Sequence, residues 1–122
     1  MSLSKRFALI ALVVLFGACG SDVESVGMKC SKLASEHCNR VTQCARQRIL
    51  NFFTSAHDEA SFTAACTDNF EDEICSDAKA TDTQYDRCLS ELPGATCVVV
   101  NQGGTFVPDI DVPSACDGAL QF

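Results

Sequence analysis

The chain holds little of what enzymes and nucleic-acid binders use. It has two histidines, His37 and His57, and no Gly-x-Ser-x-Gly turn to raise a nucleophilic serine. None of its nine cysteines falls into the close Cys-x2–4-Cys spacing of zinc sites. Basic residues number nine against sixteen acidic ones, a net charge of −7. Holding phosphates needs a concentrated basic surface, so nucleic acid is excluded as a partner. No apolar run reaches the roughly 20 residues that cross a bilayer as a helix. No internal repeat, linker or low-complexity stretch divides the chain, and its length suits a single domain.

What it does have is a three-part start. Met1 to Arg6 carries Lys5 and Arg6, Phe7 to Phe16 is unbroken apolar, and Gly17 and Ala18 stand directly before Cys19. Charged, apolar, then small is the order of a cleaved secretory signal, expected over residues 1–18. Phe16-Gly17-Ala18-Cys19 resembles the lipobox of bacterial lipoproteins, with Phe16 where Leu is usual. The resemblance implies that a signal peptidase cuts before Cys19 and that Cys19 is lipidated. Residues 19–21 then tether the mature protein to a membrane of the bacterial cell envelope. Gly20 stands where an Asp retains some lipoproteins at the inner membrane, which points to the outer membrane of a Gram-negative envelope. Each buried CH2 contributes about 0.8 kcal/mol, so the two or three palmitate-type chains of that family make attachment effectively permanent.

Cysteine parity agrees. Nine thiols in an exported chain leave one to explain. Lipidation of Cys19 leaves Cys30, Cys38, Cys44, Cys66, Cys75, Cys88, Cys97 and Cys116, enough for four disulfides in an oxidising compartment. Charge is unevenly spread. Residues 22–53 carry five basic and three acidic side chains, whereas residues 54–122 carry Lys79 and Arg87 against thirteen acids. The acidic excess is read as a solubilising surface.

The expected fold is mainly α, a small disulfide-stapled helical bundle over residues 22–122. It has about three helices, one of them long and N-terminal, and an irregular or short-hairpin tail. Ser21-x-x-Glu24 has the form of a capping box. Leu33, Ala34, Cys38, Val41, Cys44, Ala45, Ile49 and Phe52 recur at three- and four-residue steps, predicting one amphipathic helix over 22–53. A second helix is expected after Ser55 and Asp58, with Phe62, Ala65, Cys66 and Phe70 as its stripe; Glu71-Asp72-Glu73 either extends or ends it. A third is expected after Thr81-x-x-Gln84, with Tyr85, Cys88, Leu89 and Leu92 on one face and Pro93-Gly94 at its end. Val98–Val100 and Thr105–Val107 flank Asn101-Gln102-Gly103-Gly104 as a small hairpin. Pro108 and Pro113 keep the following stretch extended, and Ser114 to Leu120 adds a last turn tied by Cys116.

One helix sets a limit on the disulfides. Cys30, Cys38 and Cys44 are at least six residues apart, about 9 Å along a helix. Disulfide-bonded alpha carbons lie within about 7 Å, so these three cannot pair with each other. Each must reach a later cysteine, which makes the first helix the post of the domain. The rest of the connectivity stays open.

Candidate chemistry is thin. His37 lies near Cys30, Cys38 and Cys44, but oxidised cysteines ligate no metal. His57-Asp58 resembles the pair of secreted phospholipases, without that family's glycine-rich calcium loop or adjacent cysteine. Asp109, Asp111 and Asp117 lack the glycine and glutamate of a calcium-binding EF-hand loop. No catalytic residue, metal or cofactor is assigned, and the chain is read as non-enzymatic. The basic stripe Lys29, Lys32, Arg40 and Arg46 is read as a solvated face; anionic headgroups or the acidic remainder of the domain are its other possible partners.

The spaced single cysteines and the closing Val112-Pro-x-x-Cys116 resemble small cysteine-rich myxobacterial lipoproteins of unassigned function. Plant eight-cysteine carriers have adjacent Cys-Cys and Cys-x-Cys motifs that are missing here. The first expectation is a non-catalytic envelope lipoprotein with a structural role or an envelope protein as partner. The alternative is a stapled module that binds a small apolar ligand with Phe52, Phe53, Phe62 and Phe70.

Overall fold

The computed structural model describes residues 24–122. The expected signal, the lipidated Cys19, the 19–21 tether and Ser21 lie outside the described residues. Helix α1 spans Val26–Arg48, α2 Ala56–Phe70 and α3 Tyr85–Glu91. Strands are β1 Ala80–Thr81, β2 Thr96–Gln102, β3 Thr105–Asp111 and β4 Leu120–Gln121. The described residues are mainly helical, but their sheet part exceeds the expected tail: β2 pairs antiparallel with β3, and β1 with β4.

α1 starts later and ends earlier than its apolar period suggests. Ser25 is the cap, its hydroxyl accepting from the Met28 amide at 3.2 Å. One face buries Cys30, Leu33, Ala34, Cys38, Val41, Thr42, Cys44 and Ala45. The helix stops at Arg48 rather than 53 because Ile49 turns extended and Asn51 takes a left-handed φ of 61°. That turn carries Phe52 and Phe53 back onto Phe62 of α2. Apolar surface is buried either way, and the aromatic trio outcompetes another helical turn.

α2 is capped by the Ser55 hydroxyl, which accepts from the Asp58 amide, while the Asp58 carboxylate accepts from the Thr54 amide. None of its residues is fully buried. It leans on α1 through the Cys38–Cys66 disulfide, a 2.7 Å contact between the Thr42 and Thr63 hydroxyls, and an Arg46–Glu59 pair. Glu71-Asp72-Glu73 continues it as a π-helical turn, Glu71–Cys75, with Ser76 donating to the Glu71 carbonyl at 3.0 Å. That wider turn delivers Cys75 to Cys30 on α1.

Thr81 does not cap α3. Its backbone is extended in β1 opposite Leu120, and α3 begins four residues later with no side-chain cap. Asp82 makes the turn instead, its carbonyl accepting from Tyr85 and its carboxylate from Thr83. A short 3-10 turn, Leu92–Gly94, closes the helix.

The hairpin is longer than its valines suggest and absorbs Pro108. Gly103 and Gly104, both with positive φ, form a two-residue loop closed by Gln102 and Thr105. Hydrogen-bonded and open pairs alternate from that closing pair, so Val99 and Pro108 form an open pair. The amide hydrogen that proline lacks would have pointed away from β2, and the ladder loses nothing. The hairpin base then packs into the core through Cys97 and Ile110.

Four disulfides join Cys30–Cys75, Cys38–Cys66, Cys44–Cys97 and Cys88–Cys116. Three of them bind α1 to the π turn, α2 and β2 in turn. The core gathers Leu33, Val41, Tyr85, Leu92, Ala95, Ile110, Ala115 and Ala119 around the cysteines.

Candidate functional site

The four phenylalanines expected to line a ligand site do not share one. Phe52, Phe53 and Phe62 pack edge to face with ring centres 4.9–5.3 Å apart. Their apolar faces are spent on each other, and the depression beside them is walled largely by Arg46, Asn51, Thr54, Ser55 and Glu59. Phe70 lies elsewhere, with its ring centre 5.4 Å from that of His37.

His37 and Phe70 belong to an apolar cleft of about 260 Å³. α1 contributes Leu33 and His37 one turn apart. The end of α2 and its π turn contribute Phe70 and Ile74, Leu92 comes from the end of α3, and Val112, Leu120 and Phe122 come from the tail. The Cys88–Cys116 disulfide and the β1–β4 pair hold the tail against α3, which closes that wall. Val112 and Phe122 stand at the rim, 44% and 65% exposed. His37 is the single ionisable side chain in the lining. Burial pushes its pKa below the usual histidine value of 6.5, with Asp109 on β3 pulling weakly upward. The ring is therefore neutral at pH 7. A neutral imidazole carries one acceptor and one donor nitrogen.

No protein-family model, curated protein or solved structure matches this chain. The reading of the site therefore rests on its own geometry.

The other candidate residues have plainer roles. His57 is exposed, and Asp58 is occupied at the α2 terminus. The Asp109 carboxylate accepts from the next amide, Ile110, at 2.8 Å. Among the described residues no three His, Cys, Asp or Glu side chains converge as metal ligands. The basic stripe of α1 is engaged within the domain. Lys32 pairs with Glu24, Arg40 donates to the Ala95 carbonyl at 2.8 Å, Arg46 pairs with Glu59, and Lys29 lies over the Tyr85 ring. The cleft itself escaped sequence reasoning because its tail wall, Val112, Leu120 and Phe122, follows no helical or strand period. The π turn that aims Phe70 and Ile74 has no composition signal either.

Proposed function

We propose that this is a non-catalytic lipoprotein of the bacterial cell envelope, held at the membrane through lipid on Cys19 and presenting a disulfide-stapled domain. The observation that supports this reading is arithmetic. All eight cysteines of the described residues are used in four disulfides. The odd thiol is then the one that ends the lipobox-like Phe16-Gly17-Ala18-Cys19. Four staples in about a hundred residues also suit an oxidising envelope compartment.

Intact mass of the membrane-extracted protein tests it. The expected product starts at Cys19, carries added acyl mass, and gains eight hydrogens when its four disulfides are reduced. A water-soluble product without acyl mass, or a Cys19→Ser variant that stays membrane-bound, would overturn the anchor.

A second reading concerns what the domain does there: it binds a small apolar molecule. The apolar cleft with one neutral imidazole in its lining favours it, at a place other than the packed phenylalanine trio.

A further inference from the structure

We infer that the His37 cleft is a binding site for a compact, uncharged, single-ring aromatic molecule carrying one hydroxyl, bound by a hydrogen bond to the His37 imidazole. The inference deepens the second reading above and rests on it.

Size sets the first limit. The cleft measures about 260 Å³. An engineered apolar cavity of roughly 150 Å³ takes up benzene, and sites for drug-sized ligands begin near about 300 Å³. A space of that volume accommodates one ring with a few further heavy atoms. Charge sets the second. The lining holds no cation to pair with a carboxylate or phosphate, and burying an unpaired charge is costly. The imidazole is kept neutral by its surroundings, so an anionic ligand finds no opposite charge there.

Chemistry sets the third. The rings of Phe70 and His37 are tilted by 49° along one side, with Phe122 at the rim and a disulfide in the wall. Aromatic edges and sulfur are favourable neighbours for a ring. Within otherwise apolar walls a lone imidazole selects a ligand with one polar group, such as a hydroxyl, because that group is desolvated at a loss unless it is bonded. Ile74, next to Phe70 in the wall, is carried by a π-helical turn, a device frequent at functional sites and stapled here to α1 by Cys30–Cys75.

The test is a titration of the oxidised, exported full chain, in lipid nanodiscs if acylated and in plain buffer if not. Binding is read from the NMR signals of the His37 ring and the Ile74 methyl groups, so partition of the probe into lipid does not register. The probes are 4-propylphenol, propylbenzene and 4-propylbenzoate. We expect saturable shifts with 4-propylphenol, weaker ones with propylbenzene and none with 4-propylbenzoate. His37→Phe keeps the ring and removes the acceptor, and is expected to weaken 4-propylphenol by about three- to tenfold with propylbenzene unchanged. Val112→Trp fills the rim at a position that is 44% exposed, and is expected to abolish binding of both. Propylbenzene binding as tightly as the phenol, or a phenol affinity indifferent to His37→Phe, overturns this inference while the apolar-ligand reading stands. Equal binding of the benzoate overturns it too. No saturable shift with any probe overturns both.

Discussion

His37 carries a consequence that the neighbouring polar residues of α1 do not. Its folded pKa is depressed by burial, so between that value and 6.5 the unfolded chain holds a proton that the folded chain refuses. Above pH 6.5 the ring is neutral in both states and stability is unaffected. As pH falls from 6.5 toward the folded pKa the stability associated with the neutral ring is lost, and below the folded pKa the ring is protonated in both states. Urea unfolding midpoints from about pH 7 to about pH 5 should therefore decline less steeply in His37→Phe than in the parent. Parallel declines would show that His37 does not carry the acid sensitivity. Leu92 makes a different kind of test. It is 2% exposed and the largest fully buried side chain, so Leu92→Ala should cost about 2–5 kcal/mol in a denaturant titration. Leu92, like Leu33 and Val41, was legible from helical spacing, because a buried stripe leaves its period in the sequence. His37 falls within the same helix, but its importance comes from tail residues that meet it only after folding.

At the scale of elements, α2 and the hairpin show where local pattern stops being informative. The stripe Phe62, Ala65, Cys66 and Phe70 did mark a helix, yet none of its residues is fully buried. Its hold on α1 includes one disulfide, a pair of threonine hydroxyls, an ion pair exposed to screening and the Phe70–His37 ring contact. Removing Cys38 and Cys66 together as alanines should therefore loosen α2 ahead of the rest. Hydrogen exchange is expected to rise across residues 56–70 while amides of α1 and β3 stay protected. A uniform rise across the domain would instead make α2 part of one cooperative unit. The hairpin loop was legible from Gly103-Gly104, since two adjacent glycines permit the positive φ that the turn demands. The strand lengths were not, because Pro108 reads as a strand breaker unless its register is known. Gly103 has φ +60°, and an added Cβ there meets nothing within 4 Å. Gly103→Val should cost about 1 kcal/mol or more from backbone conformation alone, since a β-branched residue disfavours that region; an unchanged midpoint of thermal unfolding would contradict this.

The whole molecule is a post with three ties and one further clasp. That α1 must send each of its cysteines elsewhere follows from helix geometry, and so was legible before any fold. Which partner each one meets was not, because it depends on the π turn bringing Cys75 round to Cys30 and on the hairpin register placing Cys97 beside Cys44. Of the five largest fully buried side chains four are disulfide cysteines and one is Leu92. Such a core offers little apolar burial once the sulfur bridges are opened. Each disulfide closes a loop of 28 to 53 residues and contributes about 2–4 kcal/mol. Four such contributions, about 8–16 kcal/mol, are comparable to the roughly 5–15 kcal/mol that stabilises a typical domain. The folded state should therefore exist only in the oxidised chain. Treatment with a strong thiol reductant at neutral pH and about 25 °C is expected to collapse NMR dispersion and most of the far-UV helical signal in one transition. Reoxidation in a glutathione buffer should restore both along with the four native pairs. A reduced chain that kept native dispersion would mean that the apolar core suffices alone, and the argument from staples to an oxidising compartment would lose its physical basis.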